Sequence, residues 1–241
     1  MTSGAYVYPG GELELFEGAR NWKQYWGSLV RPFLGASVGE VGAGIGANTV
    51  LLSMGRPRWT CIEPDPSLAA RIEQRRAAGE IGPNCNVVVS KLTELSPDIR
   101  FDTILYIDVL EHIPGDRDEL IEASKRLQPN GYLVVLSPAH EWLFTSFDSA
   151  VGHVRRYTTK SLKCLDPPGL KPCLFRYVDS VGLLASLANA LILKTSHPTN
   201  AQIQFWDRFM VPVSRVLDRL GRFRVGKSVL AVWQAPQAAV G

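Results

Sequence analysis

The sequence predicts an α/β fold, a parallel sheet wrapped by helices, and three observations carry that prediction. Short apolar runs alternate with amphipathic segments at the pitch of repeated strand–helix units. A glycine turn, Gly42-Ala-Gly44-Ile-Gly46, follows the first of these runs and opens onto a helix-forming stretch. At 241 residues, 46% hydrophobic and 20% charged, the chain is long enough for one sizeable core and is neither disordered nor fibrous.

In chain order, residues 1–36 read as an N-terminal helical arm. Its first part, 1–18, reads as a mobile or loosely docked arm; it carries Glu12, Glu14 and Glu17 and no basic-then-apolar leader, so no signal peptide is expected. Over 19–34, Trp22, Tyr25, Trp26, Leu29, Val30 and Phe33 recur at helical spacing. Such a stripe packs a core in most proteins, but here Trp22 and Trp26 lie just before the glycine turn and can close over a ligand. Strands are predicted at 38–41, 59–62, 85–89, 101–107 and 131–136. Helices are predicted at 48–54, 66–78 and 116–127, the second opened by Pro66.

Beyond Pro138 the rhythm breaks. Residues 139–157 form a polar and aromatic loop, 158–165 a helix, 173–178 a strand and 227–233 a last strand, with a helical insertion over 181–222. The apolar stretch 181–193 has 13 residues, whereas crossing a bilayer takes roughly 20. Over 203–220, Ile203, Trp206, Phe209, Met210, Val213, Val216, Leu217 and Leu220 share one helical face. Asp207, Arg215, Asp218 and Arg219 lie opposite, with a bend expected at Pro212. An amphipathic helix of this kind usually turns its apolar face to its own core, here against 181–193. The alternatives are a substrate wall or a membrane-surface patch over 181–220.

Charge is unevenly placed. Residues 1–150 hold 13 basic and 19 acidic side chains, net −6, whereas 151–241 hold 13 and 4, net +9. The basic third suits an anionic partner, either a phosphorylated or carboxylated acceptor or an acidic membrane surface, or else is a solvated face. No aromatic–basic motif accompanies it, so nucleic acid is not expected as a partner. The four cysteines form no C-x-x-C pair, which points to a reducing, cytoplasmic setting. No Cys/His cluster has metal-ligand spacing, Asp108 and Glu111-His112 do not by themselves make a site, and no metal is expected.

The glycine turn, with Glu63 21 residues beyond Gly42, establishes an adenosine-type ligand, because a carboxylate there accepts from both ribose hydroxyls. Gly42, Gly44 and Ala47 also satisfy the dinucleotide form of the turn, so a nicotinamide cofactor stays open at this point. Glu40, two residues before Gly42, is expected to face the turn, where it repels a pyrophosphate and suits a positively charged amino-acid moiety.

With Glu40-x-Gly42-x-Gly44-x-Gly46, the acidic Glu63, the run Asp108-Val109-Leu-Glu111-His112-Ile, and Asn130-Gly131-Tyr132 before an apolar strand, the chain resembles the class I S-adenosylmethionine-dependent methyltransferases. Gly152-His153-Val-Arg155-Arg156-Tyr157 is similar to a segment of a subgroup often found among glycoconjugate genes. The resemblance implies a Rossmann-like, doubly wound sheet of seven mostly parallel strands with the last antiparallel, in a single domain over 1–241. It also implies S-adenosyl-L-methionine as cofactor, with S-adenosyl-L-homocysteine as product. Glu40, Gly42, Gly44, Gly46 and Asn48 would line its methionine and ribose, and Glu63 with Pro64 and Asp65 its ribose hydroxyls. Asp108 and Val109 would lie under the sulfonium. An acidic residue that commonly contacts adenine is replaced by Ser90-Lys91-Leu92. Lysine cannot accept that bond, which leaves the contact to Ser90, Leu92 or backbone.

The acceptor is expected over loop 139–157, as a small molecule or a glycoconjugate or lipid-linked molecule methylated on oxygen or nitrogen without metal. His153, with Asp148, is the expected base or orienter, and His140 is a second candidate. His112, Arg155, Arg156 and Tyr157 are the expected acceptor contacts, the arginines as a clamp for an anion. Two other function classes stand beside this one: an NAD(P)-dependent oxidoreductase, and a non-catalytic cofactor-binding partner at the membrane.

Overall fold

The computed structural model describes residues 6–188 and 198–237. Its strands are β1 (Ser37–Val41), β2 (Arg58–Ile62), β3 (Cys85–Val88), β4 (Phe101–Ile107), β5 (Leu127–Pro138), β6 (Lys171–Val178) and β7 (Ser228–Gln234). They form one sheet in the order β3-β2-β1-β4-β5-β7-β6. The pairs from β3 to β5 are parallel, and β7 runs antiparallel to both β5 and β6. Six strands therefore share one direction and the last opposes them.

The central strands are apolar at almost every position because both sheet faces are covered. Along β4 and β5 the period-two alternation divides one core into two. Ile104, Tyr106, Leu133 and Val135 pack with Leu120 and Ala123 of α5 (Asp116–Lys125) and Leu162 of α7 (Thr159–Leu165). Leu105, Ile107, Val134 and Leu136 pack with Trp22, Trp26 and Val30 of α2 (Arg20–Val30) and Ile72 of α4 (Pro66–Ala77). The chain leaves β1 towards β2 and β3, then returns to β4 on the other side of β1. That reversal opens a crevice at the C-terminal ends of β1 and β4, the usual ligand position in such sheets.

The N-terminal arm is docked rather than loose. Its helix α1 (Glu12–Glu17) is tied to α4 by the ion pairs Glu14–Arg71 and Glu17–Arg75. Loop 139–157 is partly helical, through a turn at 141–143 and α6 (Ser146–Ala150).

The insertion departs most from expectation. Its apolar stretch forms α8 (Ser180–Ala188), while 189–193 lie outside the described residues. The second stretch is α9 (Asn200–Phe205), a π-turn over Trp206–Met210 and α10 (Val211–Leu220). The break is the π-turn, and Pro212 lies in the first turn of α10, where its missing N–H costs nothing. The predicted inward face is largely reversed. Ile203 and Trp206 are buried, but so are Asp207 and Asp218, while Phe209, Val213, Val216, Leu217 and Leu220 are exposed.

Hydrogen bonding explains the reversal. Helix α2 begins at Ala19 without a capping side chain, so its first N–H groups need outside acceptors. Asp207 accepts from the backbone of Asn21 and Trp22, at 3.2 and 2.8 Å. Asp218 does the same at the start of α8, accepting from the backbone of Asp179 and Ser180, and also takes the Tyr25 hydroxyl at 2.6 Å.

Candidate functional site

Above the crevice lies a cavity of about 870 Å³. Its floor is the turn after β1, whose Gly42, Gly44 and Gly46 all have positive φ. A Cβ on Gly42 would stand 2.6 Å from Val109, so only glycine lets the turn pass beneath the end of β4. Glu63 closes the other side of the turn, accepting from Gly44 N–H at 2.7 Å through one oxygen and from Asp65 N–H at 2.9 Å through the other. Each oxygen keeps a lone pair. Gly42 and Gly44 line the cavity, whereas Gly46 packs on Ile72 and Ile81 and Glu63 lies buried beside the turn; a carboxylate with acceptor capacity at that place fits a nucleoside ribose.

Several expected cofactor contacts are placed otherwise. Glu40 does not face the turn. It is buried, and one of its oxygens accepts from Thr49 (2.6 Å) and Trp59 (2.8 Å), tying β1 to α3 (Ala47–Leu52) and β2. Its other oxygen has no partner, and burial pushes the carboxyl up to about 7. Leu92 is sealed in the core and cannot reach a ligand. The Ser90 hydroxyl bonds locally to the Lys91 carbonyl. Asp65 caps α4, accepting from Ser67 and Leu68, and also accepts from Tyr8 N–H at 2.7 Å, with Pro64 alongside. Asn48 and Asp108 do line the cavity, and Val109 packs on Gly42.

The arm supplies residues that pattern reading left out. Tyr8, Glu12, Leu13 and Phe16 line the cavity, and the Tyr8 hydroxyl donates to Glu12. The other Glu12 oxygen is buried without a partner. Tyr8 also meets His112 edge to face, with ring centres 5.6 Å apart. The signal was weak, because an acidic arm ahead of the first strand has no period or motif linking it to the turn.

Opposite the turn stands a polar cluster. His153 Nδ1 lies 2.8 Å from Asp148, which also accepts from both Thr145 groups and from two nitrogens of Arg156. Burial alone would raise the Asp148 carboxyl, but the bonds from His153 and Arg156 hold it well below the ordinary range. An ionised Asp148 only accepts, so His153 carries its proton on Nδ1 and keeps Nε2 as an acceptor. That Nε2 is 3.9 Å from an unpartnered oxygen of buried Glu111, whose other oxygen accepts from Ser137. Burial and the nearby Asp108 hold the Glu111 carboxyl well above its ordinary range. Enclosure, with the neighbouring His153, lowers His112 to about 4.

Donor atoms of Glu111, His112 and His153 lie within 4.8 Å of one another. One carboxylate and two imidazoles from separate loops are a donor set of the kind that can hold a cation. Sequence spacing hid the set because His153 reaches it from another loop.

The expected anion clamp is not formed. Arg156 lines the cavity, but its guanidinium is neutralised by Asp148. Arg155 pairs with Asp116 at 2.5 Å and donates to the Pro114 carbonyl. Tyr157 is buried and donates to the same Asp116. His140 stacks on Tyr177 and bonds to the Gly226 carbonyl, off the cavity. Trp22 and Trp26 do line the cavity, alongside Trp206 and Met210.

Comparison with known proteins bears on the domain and its fold. Residues 40–133 match the family model described as a methyltransferase domain. A 105-residue stretch is 33% identical to the ubiquinone biosynthesis O-methyltransferase of Paramagnetospirillum magneticum, spanning 43% of this chain and 41% of that relative. Among solved structures, N-methyltransferase NodS from Bradyrhizobium japonicum, in complex with S-adenosyl-L-homocysteine, is 18% identical with TM-score 0.57, over 92% of this chain and 88% of that one. Coclaurine N-methyltransferase is 15% identical with TM-score 0.61, over 90% and 72%. The [4+2]-cyclase SpnF is 17% identical with TM-score 0.60, over 88% and 81%. Identities this low show a shared fold. Residues 40–133 thus match a methyltransferase domain, within a seven-stranded sheet whose fold is shared with solved methyltransferases.

Proposed function

We propose that the protein transfers a methyl group from S-adenosyl-L-methionine to an oxygen or nitrogen of an acceptor with an apolar body. One observation carries the reading: a single cavity joins the glycine turn to the Asp148–His153 pair. Gly42 and Gly44 would hold the cofactor chain against the main chain, and Glu63 the ribose hydroxyls. With Glu40 turned away, the cofactor's ammonium falls to carboxylates that line the cavity, Asp108 and Glu12. When bound, the cofactor supplies an electrophilic methyl group on a sulfonium.

The protein aligns the acceptor and receives its proton. His153 Nε2 is the base, because Asp148 fixes its tautomer and Arg156 and Thr145 fix Asp148. Trp22, Trp206 and Met210, with the small residues Gly182 and Ala185 of α8, wall the acceptor space. Those apolar walls favour a hydrophobic small molecule or a lipid-linked or glycoconjugate acceptor over a free anion. The O-methyltransferase relative supports oxygen as the methylated atom, and the two N-methyltransferases keep nitrogen as the alternative.

The test is calorimetry and turnover on paired variants. His153→Ala is expected to lower kcat about 10²- to 10⁴-fold with unchanged affinity for S-adenosyl-L-homocysteine. Asp148→Asn is expected to lower kcat as well, through loss of the fixed tautomer. Unchanged turnover in both variants would remove His153 from the chemistry. Turnover lost on chelation and restored by zinc would reassign Glu111, His112 and His153 to a metal. Binding of NADH in place of S-adenosyl-L-homocysteine would favour the oxidoreductase.

A further inference from the structure

The outward face of the insertion is inverted relative to an ordinary surface helix. Along α10, Val213, Val216, Leu217 and Leu220 follow the i, i+3, i+4, i+7 spacing of a buried stripe, yet all are exposed, Leu220 at 76% and Val216 at 57%. Phe209 on the π-turn and Phe205 on α9 extend the stripe, with their rings 5.3 Å apart. The two carboxylates of the segment, Asp207 and Asp218, point inward as helix caps. Contiguous apolar surface of this kind marks an interaction site.

Charge says what covers it. Over residues 198–226 the exposed charged side chains are Arg208, Arg215, Arg219, Arg222 and Arg224, with no exposed carboxylate among them. The Arg208 guanidinium lies over the Phe209 ring, 5.6 Å from its centre, so positive charge and apolar stripe adjoin on one face. An apolar stripe flanked by arginines, with no acid, is complementary to a negatively charged lipid interface. A second copy of this chain fits poorly, since a two-fold contact would press the same arginines together without a counter-charge. No helix among the described residues is long and apolar enough to cross a membrane, so contact is in the interfacial plane.

The face is continuous with the cavity mouth. Ala201, Gln202 and Phe205 of α9 are exposed and also line the cavity. We propose that the outer face of the α9–α10 segment docks onto anionic phospholipid, turning the mouth of the cavity towards the bilayer. Docking rests on this surface alone. Its consequence, entry of an apolar acceptor from the lipid phase, rests on the proposed methyl transfer.

The test is co-sedimentation of the full chain with vesicles of phosphatidylcholine alone and of phosphatidylcholine with about one third phosphatidylglycerol. Binding is expected to favour the anionic vesicles about tenfold and to weaken in high salt. The double variant Val216→Glu with Leu220→Glu, and separately Arg215→Gln with Arg219→Gln, should each lower it about tenfold with unchanged melting temperature. None of these side chains lines the cavity. If the glutamate variant fails to fold, lipid composition, salt and the arginine variant still decide. Equal weak binding to both vesicles overturns the proposal, as does wild-type binding by folded variants. A concentration-dependent dimer in light scattering, dissociated by Leu220→Glu, assigns the face to a second copy and overturns it too. Calorimetry with S-adenosyl-L-homocysteine, without lipid, separates failure of docking from failure of the cofactor reading.

Discussion

Glu40 shows how a motif position can serve the fold beneath a site rather than the site itself. Thr49 and Trp59 both donate to one of its oxygens, and the other is buried without a partner. Its carboxyl is raised to about 7 because burial penalises the charged form. The folded state therefore holds the Glu40 proton more tightly than the unfolded chain, and stability falls as pH rises from about 4.5 to about 7. Across that window the loss is on the order of 3 kcal/mol. Glu40→Gln keeps an acceptor for Thr49 and Trp59 and has no proton to lose. In urea unfolding, the variant is expected to gain on wild type steadily between those pH values and to hold a constant difference above them. A difference independent of pH would show that Glu40 is ionised throughout. At this scale the glycine turn and the carboxylate beside it were legible, because a tight turn demands glycine at fixed positions and Glu63 closes that turn through Gly44. The direction of the Glu40 side chain was not, since it depends on Trp59 from the neighbouring strand.

At the scale of elements, strands were the easiest to read. Four- to seven-residue apolar runs covered on both faces leave a dense local signal, and 101–107 coincides with β4. The insertion was read with its main apolar face inward. Hydrophobic period reports that a helix has two faces, and it does not report which neighbours need capping. Asp218 accepts three hydrogen bonds, from Tyr25, Asp179 and Ser180. Asp218→Ala leaves these donors buried and is expected to cost about 3 kcal/mol in urea unfolding. The exposed neighbour change Arg219→Gln should stay within about 0.5 kcal/mol. If both substitutions cost the same, the caps do not orient the helix. The arm was likewise read as loosely docked, because the pairs that dock it, Glu14–Arg71 and Glu17–Arg75, join positions 57 and 58 residues apart.

At the scale of the molecule, the fold hosts more than one chemistry, as the likeness to a [4+2]-cyclase beside N-methyltransferases makes plain. Ligand linkage discriminates. At about 100 times its Kd, S-adenosyl-L-homocysteine is expected to stabilise the fold by about 2.7 kcal/mol. For a chain of this length that raises Tm by about 5–10 °C. NAD at the same concentration should leave Tm unchanged, and a larger shift with NAD would reverse the cofactor assignment. What the sequence by itself determined is the doubly wound sheet, the glycine cradle and its carboxylate, because these rest on local period and on residue types no substitute can replace. The three-dimensional arrangement alone decided that Glu111, His112 and His153 converge, that Arg155 and Arg156 are paired rather than free, and that α10 turns its apolar face outward. Each of these depends on partners distant in sequence, and the orientation of a polar side chain follows the hydrogen bonds that folding leaves open to it.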